Sequence, residues 1–125
     1  MLFRSDCTYA VVGDLAFLHD LTALVNLEPI KLKLLVINNN GGGIFSTLPQ
    51  AGVAGFEQIF GTPHDRDLFE ISKVFGVPTT EIESLKALKS FMSPPTKFEI
   101  GILQMPDRES NATLIKELTK RVNYR

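Results

Sequence analysis

Apolar positions along the chain change period several times, and each change marks an element. Thr8 to Val12 is a short, mostly β-branched run closing on Gly13-Asp14, which predicts a buried strand and its exit turn. From Ala16 to Leu27 the residues Phe17, Leu18, Leu21, Leu24 and Val25 follow helical spacing, and Pro29 blocks continuation of that helix. Lys31 to Asn38, "KLKLLVIN", begins in alternation and ends in four consecutive apolar residues, the pattern of a central parallel strand covered on both faces. Residues 41 to 66 hold most of the glycine and little periodicity, so a long loop is expected, with a turn of helix around Phe56 to Ile59. Leu68, Ile71, Val74 and Phe75 make a second helical stripe, stopped by Gly76. Thr80-Glu81-Ile82-Glu83 has the spacing of a capping box, and Leu85, Leu88, Phe91 and Met92 carry a helix to the Pro94-Pro95 break. Lys97 to Met105 alternates and then turns apolar, a third strand. Ser110 or Asn111 can cap a last helix whose face is Leu114, Ile115, Leu118 and Val122.

The resulting order, β-α-β-loop-α-α-β-α, argues for an α/β fold with a parallel sheet flanked by helices. Three clear strands are few for such a sheet, and the chain opens directly on one of them. The expectation is therefore a single domain over residues 1–125 whose fold is truncated at its N-terminal side.

Composition narrows the function classes. With 125 residues and 44% hydrophobic content the chain can bury a core. Its 13 basic and 14 acidic side chains leave a net charge of -1, which speaks against nucleic acid and anionic membrane as partners. The apolar run around Leu34 to Ile37 is too short to span a bilayer, and the first residues lack the apolar core of a signal peptide. A lone Cys7 precludes an internal disulfide and suits a reducing cytoplasm; beside a strand it is expected to pack rather than to react.

Two strand ends carry unusual chemistry. After the first come Gly13, Asp14, Leu15 and Ala16, with a helix starting at once; after the second come Asn38-Asn39-Asn40-Gly41-Gly42-Gly43. In parallel α/β sheets ligands bind beyond the carboxyl ends of the strands. A helix start offers free N–H groups to a phosphate, and glycine lets backbone approach a ligand closely. Asp carboxylate, Asn amide oxygen and backbone carbonyl are hard donors suited to Mg²⁺ facing a diphosphate. Singly, each motif is ordinary turn chemistry. At the ends of two strands one crossover apart, they predict a metal–diphosphate cradle.

"GDLAFLHDLTAL" followed by "VINNNGGGIFSTLPQ" resembles the thiamine-diphosphate-binding motif, Gly-Asp and, one crossover later, Asn-Asn. More narrowly, "NNNGGGIFSTLPQ" and "FEQIFGTPHDRD" are similar to the MenD family, the 2-succinyl-5-enolpyruvyl-6-hydroxy-3-cyclohexene-1-carboxylate synthases of menaquinone biosynthesis. The resemblance implies the C-terminal diphosphate-binding domain of a transferase. Asp14 and Asn39 would then ligate Mg²⁺, or Mn²⁺ in its place, through their side chains, and Gly41 through its carbonyl. Gly13, Leu15, Ala16, Gly42, Gly43 and Ile44 would surround thiamine diphosphate. Ile44, Phe45 and Leu48 would form an apolar wall on the substrate side. The implied reaction is decarboxylation of 2-oxoglutarate followed by addition of the resulting carbanion to isochorismate. Leu15 stands third where many thiamine enzymes have Gly-Asp-Gly, and "GTPHDRD" replaces the more usual Gly-Leu-Asp after the histidine.

The resemblance also implies an activating Glu on a pyrimidine-binding domain, contributed by a partner subunit of a cytoplasmic homo-oligomer, a dimer. No residue of this chain matches that Glu; Glu28 and Glu57 lie in the wrong context. The chain alone is therefore expected to be inactive. Another thiamine-dependent lyase or synthase, and a non-catalytic fragment or a subunit that only completes a partner's site, are the other readings. His64 in its loop and His19 on its helix are read first as satisfied polar side chains, with a contact from His64 to an anionic substrate as the functional alternative. Lys116, Lys120 and Arg121 are read as a solvated face, and Pro94-Pro95 as a connection.

Overall fold

The computed structural model describes residues 8–26, 30–49, 51–106 and 108–123. Cys7, Leu27, Glu28 and Pro29, on which expectations above rest, lie outside these. The chain forms two compact units, Met1–Asn38 with Asp67–Gln104 and Asn39–Arg66 with Met105–Arg125.

The first unit is a parallel sheet in the order β1-β2-β4-β3, with β1 Thr8–Gly13, β2 Leu32–Asn38, β3 Thr79–Ile82 and β4 Phe98–Gln104. The parallel sheet with flanking helices agrees with the α/β reading. β2, with its run of four apolar residues, is inner, pairing with β1 on one side and β4 on the other. Side chains on alternate residues divide its two faces. Val36, Ile100 and Ile102 face a core closed by Phe17, Leu24, Leu68 and Val77. The opposite face carries Lys33, which pairs in register with Glu99, forms an ion pair with it and lies 4.8 Å from the centroid of the Phe91 ring. On that face a Cβ at Gly101 would stand 2.9 Å from the Phe91 ring, so the missing side chain is what lets the third helix lie against β4.

Four expectations about the first unit need correction. Strand β1 is an exposed edge, with Val11 65% accessible, because among the described residues it pairs only with β2; a β-branched run looks the same at the edge and in the middle of a sheet. The first helix, α1, is Asp14–His19, and a separate 3-10 turn, Leu21–Leu24, replaces its second half. Both bury an apolar residue, Phe17 and Leu24, on the core. Thr80-Glu81-Ile82 is not a helix start but part of β3, a fourth strand, and Ile82 is buried at 1% exposure. The cap of the following helix, α3 (Leu85–Phe91), is Ser84, whose hydroxyl accepts from the Ala87 N–H at 3.1 Å. Between these, α2 (Leu68–Val74) starts at Asp67, which accepts from the Glu70 N–H, and ends before Gly76 at φ 69° as expected. Val74, however, is 84% exposed and stands off the buried stripe.

The second unit holds the expected long loop. It contains a 3-10 turn, Gly43–Thr47, a π turn, Glu57–Gly61, and α4, Arg108–Asn123. Phe45, Phe56 and Phe60 pack with centroid separations of 5.7 and 5.6 Å. The α4 helix begins ahead of Ser110, and Arg108 in its first turn forms an ion pair with Glu57. The face Leu114, Ile115, Leu118 and Val122 is between 41% and 73% exposed, so the stripe that reads as a core face is open, and Ala112 is the buried position.

Candidate functional site

In the first unit the carboxyl ends of β1, β2 and β4 coincide: Gly13 is in register with Ile37, and Asn38 with Gln104. α1 starts at the residue after Gly13. Asp14 is 2% exposed, and its Oδ1 accepts the Leu15 N–H at 2.7 Å. A buried carboxylate persists only where hydrogen bonds or cations offset its desolvation. Leu15 and Ala16 are exposed at the same end. Gly13 is extended, φ -81° and ψ 162°, a conformation open to any residue, and a Cβ there would meet nothing within 4 Å. Neither backbone geometry nor packing requires this glycine. The room it leaves lies next to a buried carboxylate.

The consecutive asparagines have separate tasks. Asn38 is 7% exposed and donates through Nδ2 to Gln104 Oε1 at 2.9 Å, joining the ends of β2 and β4. Asn39 begins the second unit, half-buried, with its amide over Gly43, where a Cβ would collide with Nδ2. Asn40 is left-handed at φ 59°; its Oδ1 accepts from the N–H of His64 at 3.1 Å and of Asp65 at 2.9 Å, and its Nδ2 donates to Asp65 Oδ1 at 2.7 Å.

Gly41, Gly42 and Gly43 are buried, and their reason is internal. A Cβ at Gly41 would collide with the carbonyls of Gly61 and Thr62, and one at Gly42 with that of Phe60. Gly41 also stands at φ 118°, which only glycine tolerates readily. The Gly42 N–H donates to Gly61 O at 2.7 Å, so the glycine run lies directly on residues 60–62. Ile44, Phe45 and Leu48 follow on or just after the 3-10 turn and are 70%, 36% and 38% exposed.

His64 is half-buried, and its Nδ1 accepts the Arg66 N–H at 3.0 Å, which places the ring proton of the neutral form on Nε2. His19 is held by its neighbour Asp20 at 2.9 Å with the ring 87% exposed. Glu57 is paired with Arg108. Asn40, within the asparagine run, and Asp65, Gln104 and Arg108 have no separate role assigned from the sequence. Asn-Gly turn chemistry and an Asp after the histidine were the available signals, but neither names the partner.

The first unit offers one carboxylate, Asp14, at the end of β1, and the second unit begins with the Asn39 amide and the backbone carbonyls that follow it. Among the described residues no three His, Cys, Asp or Glu side chains converge on a metal site. A set with a single carboxylate suits a cation that brings phosphate ligands of its own, and Gly13 leaves room for them. The residues present therefore fit a Mg²⁺ diphosphate. Among the described residues, no helix is long and apolar enough to cross a membrane.

No family profile matches the chain. Curated proteins do. It is 36% identical over 120 residues to the 2-succinyl-5-enolpyruvyl-6-hydroxy-3-cyclohexene-1-carboxylate synthase of Lysinibacillus sphaericus, covering 93% of this chain and 21% of that protein. The synthase of the same name from Thermobifida fusca is 46% identical over 79 residues, 60% of this chain and 14% of the relative. That of Rippkaea orientalis is 32% identical over 133 residues, covering 100% of this chain and 22% of its own length. The chain thus spans about a fifth of the length of the curated relatives it matches. Over that span the chain belongs to the 2-succinyl-5-enolpyruvyl-6-hydroxy-3-cyclohexene-1-carboxylate synthase family.

Proposed function

We propose that the chain is the C-terminal cofactor-binding part of such a synthase and holds the Mg²⁺ salt of thiamine diphosphate, with Mn²⁺ able to replace the magnesium. The observation that carries this reading is the open Gly13 beside the buried Asp14 at the carboxyl end of the sheet. Asp14, Asn39 and the Gly41 carbonyl are the proposed metal ligands. Gly13, Leu15, Ala16, Gly42, Gly43 and Ile44 are the proposed surroundings of the cofactor, and Ile44, Phe45 and Leu48 the apolar wall toward substrate. Exposed apolar side chains at 44, 45 and 48 support that role, because a thiazolium ring and an acyl chain would cover them.

When bound, the cofactor supplies the electron sink that decarboxylation of a 2-oxo acid requires. The protein's own groups bind and orient: hard oxygens hold the cation, N–H groups meet the diphosphate, and the apolar wall excludes water. The substrates proposed are 2-oxoglutarate and isochorismate, after the relatives' product name. Cofactor activation is assigned to a Glu on a pyrimidine-binding domain or partner subunit, in a homo-oligomeric, dimeric and cytoplasmic enzyme. Glu57 does not stand in for it, being held by Arg108.

Calorimetric titration of the chain with thiamine diphosphate, with and without Mg²⁺, tests this beside Asp14→Ala. Mg²⁺-dependent heat lost in the variant is the expected result. Binding that ignores Mg²⁺, or survives in the variant, would sink the assignment.

A further inference from the structure

Asn40 stands between Asn39 and Gly41, both proposed as metal ligands, and its backbone is left-handed at φ 59°. Residues other than glycine adopt this region rarely, asparagine more than most. What holds it there is 24 and 25 positions away in sequence. The Asn40 amide takes two backbone N–H groups, from His64 and Asp65, and gives its own N–H to the Asp65 carboxylate. Asp65 is itself left-handed at φ 48° and Thr62 at φ 39°, so the accepting turn has an uncommon shape of its own. A second link, Gly42 N–H to Gly61 O at 2.7 Å, fixes the other side of Gly41. Residues 61–65 are thus a template on which residues 40–42 are laid.

The dihedral angles of residue 40 decide where the amide of Asn39 stands relative to the carbonyl of Gly41. If residue 40 relaxed to an extended conformation, the Asn39 amide and the Gly41 carbonyl would change position relative to one another. We propose that Asn40 is a positioning residue for the divalent cation: through the turn at His64-Asp65 it holds Asn39 and Gly41 in the arrangement a hard cation requires. This rests on the cofactor reading above, and it makes the "TPHD" stretch a structural part of the metal site. The half-buried His64 is oriented by the same clamp, since its N–H is one of the three bonds.

The test uses the whole chain with Asn40→Gly, which tolerates the positive φ but lacks the clamp, and the exchange pair Asn40→Asp with Asp65→Asn. That pair keeps the acceptor for both N–H groups, reverses the third bond and leaves the net charge unaltered. Two readouts are taken: amide hydrogen exchange at Gly42, His64 and Asp65 in the ligand-free chain, and binding of Mn²⁺ with thiamine diphosphate followed by the electron spin resonance of the free ion. Asn40→Gly is expected to speed exchange at His64 and Asp65 and to weaken Mn²⁺ binding by about tenfold or more, with exchange at Val36 unaltered; the exchange pair is expected to restore both. Unaltered Mn²⁺ binding in Asn40→Gly, or unaltered exchange at His64 and Asp65, would overturn the inference. Should Asn40→Gly not fold, the exchange pair decides: Mn²⁺ binding near that of the parent chain supports the clamp, and its loss overturns it. If the parent chain binds no Mn²⁺ with the cofactor, the reading of the site fails and the positioning role with it, whereas failure of Asn40 alone leaves parent binding intact.

Discussion

The side chains of Asn38 and Gln104 are hydrogen-bonded, Asn38 Nδ2 donating to Gln104 Oε1 at 2.9 Å, and these residues are the last paired positions of β2 and β4. The bond closes the sheet at the end where the chain turns away to Asn39. It separates structure from chemistry within one run of identical residues: the first asparagine serves the sheet, the second faces Gly43, and the third clamps the turn at 64–65.

Asn38→Ala is therefore expected to lower stability without altering cofactor affinity per folded molecule. Its loss removes a hydrogen bond from a buried amide, worth about 1–2 kcal/mol. The urea midpoint measures the first effect, and calorimetric titration well below that midpoint the second. A variant that loses binding at full stability would show that Asn38 belongs to the site.

Lys33 and Glu99 give a second stability prediction. Lys33 is 7% exposed between the Glu99 carboxylate and the Phe91 ring. Removing one partner leaves the other charge facing a poorly hydrated surface. Lys33→Met is expected to cost about 3 kcal/mol, because breaking a buried pair is more damaging than replacing it. Lys33→Met with Glu99→Leu should recover most of that loss. Chemical denaturation of the two variants tests this; equal destabilisation of single and double variants would refute it.

The α4 face is expected to behave as surface. Leu114→Gln and Leu118→Gln should each shift stability by less than about 0.5 kcal/mol, since both side chains are about half exposed, at 48% and 51%. Ala112→Leu should cost roughly 1–3 kcal/mol, because Ala112 is 5% exposed and overpacking forces neighbours from their rotamers. Thermal melts of the three variants separate the two classes.

Much of the fold could be read from period and punctuation. β2, α2, β4 and the long loop lie where the pattern places them; the apolar residues of β2, α2 and β4 meet one core, and α2 starts on a cap and stops before a glycine. What could not be read depended on neighbours. Thr79–Ile82 is four residues long, too short for a period to declare itself, and it is a strand because β4 offers it an edge. The α4 stripe is helical as predicted, yet periodicity reports only that a face is apolar, not that anything covers it. The strand-end residues proposed for the site draw notice in the sequence because their types are costly in strands, whereas Asn40, Asp65 and Gln104 act through partners far away in sequence that no local pattern names.

The glycines yield the prediction closest to function. Gly13 and Gly41 look alike in the sequence: one ends a strand beside the proposed ligand Asp14, and the other follows a strand end and is itself a proposed ligand. In the structure their constraints are opposite. A Cβ at Gly13 meets nothing within 4 Å and its φ of -81° suits alanine, so Gly13→Ala should leave stability unaltered or raise it by about 0.4–1 kcal/mol. A methyl in the space proposed for the diphosphate should nevertheless weaken Mg²⁺-dependent binding of thiamine diphosphate by about tenfold, or about 1.4 kcal/mol. Gly41→Ala meets two carbonyls and keeps φ 118°, so it should lose roughly 1–3 kcal/mol of stability whether or not ligand is present. Urea denaturation and calorimetric titration of both variants place each glycine on one side of this division. If Gly13→Ala bound the cofactor as tightly as the parent chain, the opening beside Asp14 would not be where the diphosphate lies.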